Sequence, residues 1–303
     1  MAVLDTPPPA SVARPALKAA GLAVIGMGII GAADNVMPEV ARHIGLAQFH
    51  AVRSAMALML LPFVLAWAGV RLRPVRPWGV IGRSLLLAVG MGCYFACLGV
   101  LPVAQALAGV FTAPLWIMLV SRLGGARVDG GTAALILAGF AGCLMVVQPD
   151  PQSLGWLAIF PLAAGFFYGM AGKVTRTWTR DENVWTLVGV YLAILGGGAA
   201  LALLALDPAS TDYISRGWAP MPWHVVGLCL LQAVVALSAV ALLTRAYQLA
   251  APAFVGAFEY TVLIVAAAVG FVLWGHGMNG LGMAGVAVIL ASGAALAWRG
   301  DRA

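Results

Sequence analysis

Phe258-Glu259-Tyr260-Thr261 places a carboxylate and a phenol inside an otherwise apolar run from Ala253 to Trp274. A run of that length can cross a bilayer, which needs about 20 residues. A glutamate at such depth must be neutralised, paired or wetted, and an ionisable side chain there is by default a functional group. Glu259 can hold a proton, or it can receive the cationic part of a substrate. The alternative is a protonated glutamate hydrogen-bonded to a neighbouring helix.

Other polar side chains interrupt apolar runs in the same way. Asp34 and Asn35 stand late in the first run and Arg53 early in the second, at similar depths, so Asp34 and Arg53 are expected to form an ion pair. That pair serves either as a fixed bridge between two helices or as a gate or substrate clamp. His50, three residues before Arg53, shares its helix face. It is a second donor or an interfacial histidine. Tyr94, Trp116, Tyr168, Tyr191 and Tyr260, with the amides of Gln105 and Gln232, are the groups that could line a cavity. Aromatic faces attract ammonium and guanidinium groups, although each of these side chains also reads as ordinary core. The expected substrate-binding set is therefore Glu259, Tyr260, Asp34, Asn35, Arg53, His50, Tyr94, Trp116, Tyr168 and Gln232.

Enzyme chemistry finds little support. The four histidines (His43, His50, His224, His276) are scattered, and the four cysteines lie in apolar runs without a CxxC or Cys/His ligand spacing. No catalytic cluster, metal site or cofactor is expected. No G-x-x-x-x-G-K-[ST] occurs, which argues against ATP hydrolysis by this chain.

The elements that must position these groups follow from composition. The chain has 303 residues, 62% of them hydrophobic and 9% charged, whereas soluble domains carry about 25% charged residues. That is too little charge to solvate an ordinary globular surface, so the chain reads as a polytopic membrane protein. The net charge of +6 does not point to nucleic acid, because the basic residues fall between apolar runs. Ten such runs are expected, at about 19–38, 46–69, 80–100, 103–121, 130–148, 154–173, 185–206, 223–246, 253–274 and 279–298. With the N-terminus in the cytoplasm, cytoplasmic segments hold fourteen of the seventeen Lys and Arg residues, Arg83 counted among them, and the opposite segments hold Arg42 and Arg216. The small residues Gly31-Ala32-Ala33 resemble a signal-peptide cleavage site. The polar pair that follows and the even helix count instead keep the first run as a span.

Ala104–Phe111 parallels Ala251–Phe258 at a constant offset. The chain then divides into a disordered cytoplasmic segment 1–16, a first five-helix half 17–149 and a second half 150–303. An odd helix count per half inserts the two halves in opposite orientations, an arrangement that places a site near the bilayer midplane. The expected fold class is an all-α integral membrane protein of ten transmembrane helices, two inverted five-helix repeats around a central cavity.

These features resemble the drug/metabolite transporter superfamily of the EamA type, over nearly the whole chain. Ala33-Asp34-Asn35-Val36-Met37, Arg83-Ser84-Leu85-Leu86 and Phe258-Glu259-Tyr260-Thr261 are similar to a bacterial branch with S-adenosylmethionine and riboflavin uptake carriers; the superfamily also includes amino-acid exporters. The resemblance implies a bacterial inner-membrane carrier working by alternating access, as a monomer or homodimer. Its partners would be a small-molecule substrate, the lipid bilayer and protons. Where members often carry a glutamate at the ends of the fourth and ninth runs, this chain has Arg127 and His276. The expected substrate is a zwitterion or organic cation, its positive part on Glu259 and any carboxylate on Arg53 or His50. A proton-coupled exporter of amino acids or drugs is the alternative.

Overall fold

In the computed structural model, residues 10–100, 103–125, 129–148, 159–274 and 279–300 are described. Arg127, His276 and the expected boundary at 149–150 lie outside them. The described residues form helices and connections, and their nearest approach to a sheet is one isolated bridge between Asp207 and Arg216. Among the described residues, seven helices are long and apolar enough to span a membrane.

The first run is longer than its apolar core and is not straight. Helix α1 (Ala10–Ala33) passes through a 3-10 turn at Asp34–Val36 into α2 (Met37–His43). Pro38 explains the change: it stands in the first turn of α2, where its missing N–H and fixed φ are tolerated, and it disfavours continuation of the preceding helix. Asn35 Nδ2 donates to Gly31 O at 2.8 Å, tying the turn back to the last residues of α1.

The second and third runs are α3 (Leu46–Ala68) and α4 (Pro77–Val100). The fourth is broken into α5 (Val103–Val110) and α6 (Ala113–Leu123), and α7 (Gly130–Val147) is the fifth. In the second half α8 (Ile159–Thr177) carries Lys173 and Arg176 in its last turns, and α9 (Val184–Leu203) and α10 (Trp223–Leu249) are continuous. The ninth run is broken into α11 (Pro252–Glu259) and α12 (Thr261–Trp274), and α13 (Gly280–Gly300) closes the bundle.

The two breaks are built alike. Thr112 Oγ1 donates to Gly109 O, and Thr261 Oγ1 donates to Phe258 O at 2.7 Å, so each interrupted turn has a threonine on the carbonyl three residues back. The breaks also touch one another. Tyr260, at the second break, donates its hydroxyl to Phe111 O at the first, 3.3 Å away, and the two rings meet edge to face.

Helix pairing follows a simple rule. Helix α1 packs on α10 and α4 on α8; α3 packs on α9 and α7 on α13; α5 and α6 pack on α8, and α12 and α11 on α1. Exchanging each run of the first half with the run five places later returns the same set of pairs. The α7–α13 pair approaches closely because Gly142 and Gly285 face each other: a Cβ on either would lie within 3 Å of the other's carbonyl oxygen.

Two clamps join the halves, each at the start of a second helix. In one, the Glu182 carboxylate, just before α9, accepts the backbone N–H groups of Val75 (2.9 Å) and Arg76 (2.5 Å) from the α3–α4 connection. Gln248 Nε2 braces that turn by donating to Thr179 O and Glu182 O. In the other, Gln48, at the start of α3, both donates to and accepts from the backbone of Ala219 in the α9–α10 connection (2.8 and 2.9 Å). Leu46 N donates to Tyr213 O of the same connection, and Gly45 leaves room for the backbone of Arg216. Glu182 is buried, and bonds to charged groups are worth about 1.5–3 kcal/mol against roughly 1 for neutral ones. Glu182→Gln is therefore expected to cost about 1–2 kcal/mol, read as a thermal midpoint lower by a few degrees; an unchanged midpoint would remove the clamp's energetic role.

Candidate functional site

Between the halves lies an internal cavity of about 110 Å³, walled by α1, α3, α4, α5, α8, α9, α10 and α12. Its walls are mostly apolar: methionines of α1 and α4, Phe95, Phe111, and small residues of α8 and α10. Polar groups gather in two places.

At one end Asp34, placed by the bend after α1, accepts from Tyr94 Oη at 3.2 Å and from Gln232 Nε2 at 3.5 Å. Gln232 Nε2 also donates to Ala33 O at 3.1 Å. Arg53, from the third turn of α3, points into the same end. Its Nη2 donates to the Tyr191 hydroxyl at 3.4 Å, and its guanidinium lies 5.2 Å from the ring centres of Phe49 and Phe95. The expected Asp34–Arg53 ion pair is not formed. Both side chains line the cavity, but the carboxylate is held by a phenol and an amide and the guanidinium by aromatic faces, so each charge is steadied by neutral groups.

At the other end stands Arg83, in the second turn of α4. Its guanidinium donates to Thr175 Oγ1 of α8 (3.1 Å), Thr244 Oγ1 of α10 (2.7 Å) and Leu187 O of α9 (3.5 Å). It is 4% exposed and lines the cavity. Eleven residues of α4 separate it from Tyr94, a rise of about 16 Å. Arg83 is among the cations expected in cytoplasmic segments, and six residues into α4 a long side chain is near enough to the helix end to reach water. It reaches inward instead, to two threonine hydroxyls and a helix carbonyl.

The expected residues fall into three groups. Asp34, Arg53, Tyr94, Tyr168, Tyr191 and Gln232 line the cavity. Glu259 is 3% exposed and stands behind the wall: Tyr168, which lines the cavity, donates its hydroxyl to Glu259 Oε1 at 2.8 Å. Tyr247, also a wall residue, flanks the same carboxylate outside hydrogen-bonding geometry. The remaining four turn elsewhere. Asn35 is bound to its own helix, Tyr260 joins the two breaks, and Trp116 packs edge to face on Phe166. His50 is buried against Phe49 and Phe95 with neither ring nitrogen hydrogen-bonded in the structure.

The site thus offers two buried guanidiniums and one carboxylate facing an apolar cavity, with a second carboxylate hydrogen-bonded behind a wall tyrosine. Such a cavity can receive a molecule with an apolar or aromatic body and polar ends. Among the described residues that line it there is no serine, cysteine, lysine or histidine.

No protein-family model matches the chain. It is 30% identical over 239 residues to the riboflavin transporter of Rhizobium johnstonii, covering 78% of this chain and 75% of that one. It is 24% identical over 277 residues to the pseudopaline exporter CntI of Pseudomonas aeruginosa, covering 91% and 94%. A solved crystal structure superimposes with a TM-score of 0.75 at 16% identity, over 94% of this chain and 99% of the other, a likeness of fold alone.

Proposed function

Because the chain belongs to the family of bacterial membrane transporters that includes the relative of Rhizobium johnstonii, we propose that it carries a small polar metabolite through its central cavity by alternating access, as a secondary transporter rather than an enzyme. It is a multi-pass membrane protein of ten runs, in our reading an EamA-type member of the drug/metabolite transporter superfamily with the second half inverted relative to the first and both termini cytoplasmic. Supporting the inversion are the set of helix pairs that survives exchange of the halves and the interrupted fourth and ninth runs. Interrupted helices at corresponding positions of two halves are the usual pointer to a carrier's site.

The observation that carries the substrate reading is the pair of buried arginines at opposite ends of an apolar cavity. They favour a substrate with hydrogen-bond acceptors, or a carboxylate, at both ends of a flat apolar body. Riboflavin, after which one relative is named, offers such acceptors in its ring carbonyls and in the hydroxyls of its ribityl chain. A zwitterion fits the same groups with its ammonium on Asp34 rather than on Glu259. Export is the second reading, favoured by the relative named as an exporter.

The test is a thermal-shift screen of the purified protein with riboflavin, amino acids and other small metabolites, followed by uptake into vesicles of both orientations. A ligand at 100 times its Kd stabilises by about 2.7 kcal/mol. The shift is expected to disappear in Arg53→Gln. A full shift that survives Arg53→Gln would place binding elsewhere and sink the assignment of the cavity.

A further inference from the structure

Glu39, His43 and His224 are not part of the cavity, yet folding gathers them on one spot. Glu39 and His43 share a face of α2 at i and i+4, and His224 is the second residue of α10, which packs on α2. His224 Nε2 lies 3.4 Å and His43 Nδ1 3.6 Å from the same carboxylate oxygen, Glu39 Oε1. The two imidazoles stand nearly perpendicular with centres 5.0 Å apart. One ligand atom from each residue falls within 4.8 Å of the other two. Arg42 holds the other carboxylate oxygen, Oε2, at 3.0 Å and leaves Oε1 to the two rings.

Two imidazoles and a carboxylate are the donor set of zinc sites with an open position and of other borderline divalent ions. An ion with ligands at about 2.0–2.2 Å in tetrahedral geometry holds neighbouring ligand atoms roughly 3.4 Å apart. The separations from Glu39 Oε1 already match. His43 Nδ1 also lies 3.0 Å from Glu39 O. In the tautomer with its hydrogen on Nε2, Nδ1 keeps its lone pair and can turn it to an ion instead of donating to that carbonyl. All three side chains are 31–55% exposed, so an ion can enter from water.

We propose that Glu39, His43 and His224 form a site for a divalent transition ion of the zinc class, tying α2 of the first half to α10 of the second at the Arg53 end of the cavity. The bound ion would restrain α10, which carries Gln232, and α2, which follows the turn that carries Asp34.

The probe is Zn²⁺ itself, titrated calorimetrically into tag-free purified protein, with Co²⁺ absorption as a reporter of the ligand set. One equivalent per chain is expected, with cobalt bands that zinc abolishes. His43→Ala and His224→Gln should each weaken binding at least about tenfold. His224 is exposed at a helix start, so its variant keeps the test open if His43→Ala folds poorly. The proposal is overturned if the wild type takes up no equivalent at millimolar zinc, or if both variants bind with unchanged affinity.

Discussion

Arg83→Gln is expected to lower substrate uptake roughly 10- to 100-fold, with the protein still inserted and folded. One charge-assisted hydrogen bond is worth about 1.5–3 kcal/mol, and each 1.4 kcal/mol is tenfold in affinity. Loss of a single substrate contact from this guanidinium would suffice. Arg83→Lys should recover little, because a point charge on a flexible stem cannot reach Thr175, Thr244 and Leu187 O together as the planar fork does. A purely structural arginine would behave differently: the variant would melt early, and the fraction surviving would transport with an unchanged KM. That outcome would remove Arg83 from the binding site.

The second large effect is expected at Glu259. Glu259→Gln keeps an oxygen for the Tyr168 hydroxyl and nearly the same shape, and it removes only the ability to change charge. We expect uptake to fall by about tenfold or more, the low end of what a lost charged partner costs. The rate should also cease to vary with pH where the wild-type rate does. Tyr168→Phe should move uptake in the same direction, since Glu259 meets the cavity only through the tyrosines in front of it. Wild-type rate and pH dependence in Glu259→Gln would leave this carboxylate with a packing role alone.

How far these residues could be read from sequence depended on what makes a group visible there. Asp34, Arg53, Tyr94, Tyr168 and Gln232 stand out because a polar atom deep in an apolar run needs a partner, and all five line the cavity. Glu259 stands out for the same reason. Its place behind Tyr168 does not, because it depends on which face of α11 meets α8. Arg83 is hidden by its closeness to a helix end, where a cation ordinarily turns to water. The interruption at Tyr260 is hidden too, since no glycine or proline stands within three residues of it; at the first break Pro114, in the first turn after Thr112, is the local signal. His43 and His224 lie 181 positions apart, and only the packing of α2 on α10 makes them neighbours.

The two clamps between the halves are similar in place and unequal in chemistry. One rests on a carboxylate that takes two backbone N–H groups, the other on a neutral amide paired with a peptide group. A carrier that exposes its cavity to one side at a time must release one clamp while the other holds. Bonds to an ion are roughly twice as strong as neutral ones, a difference of about 1–2 kcal/mol here. Without substrate, the unloaded carrier would then rest facing the Gln48–Ala219 side about 5 to 30 times more often than the Glu182 side. The fold would thereby set a waiting direction, and substrate would have to supply the free energy that reverses it.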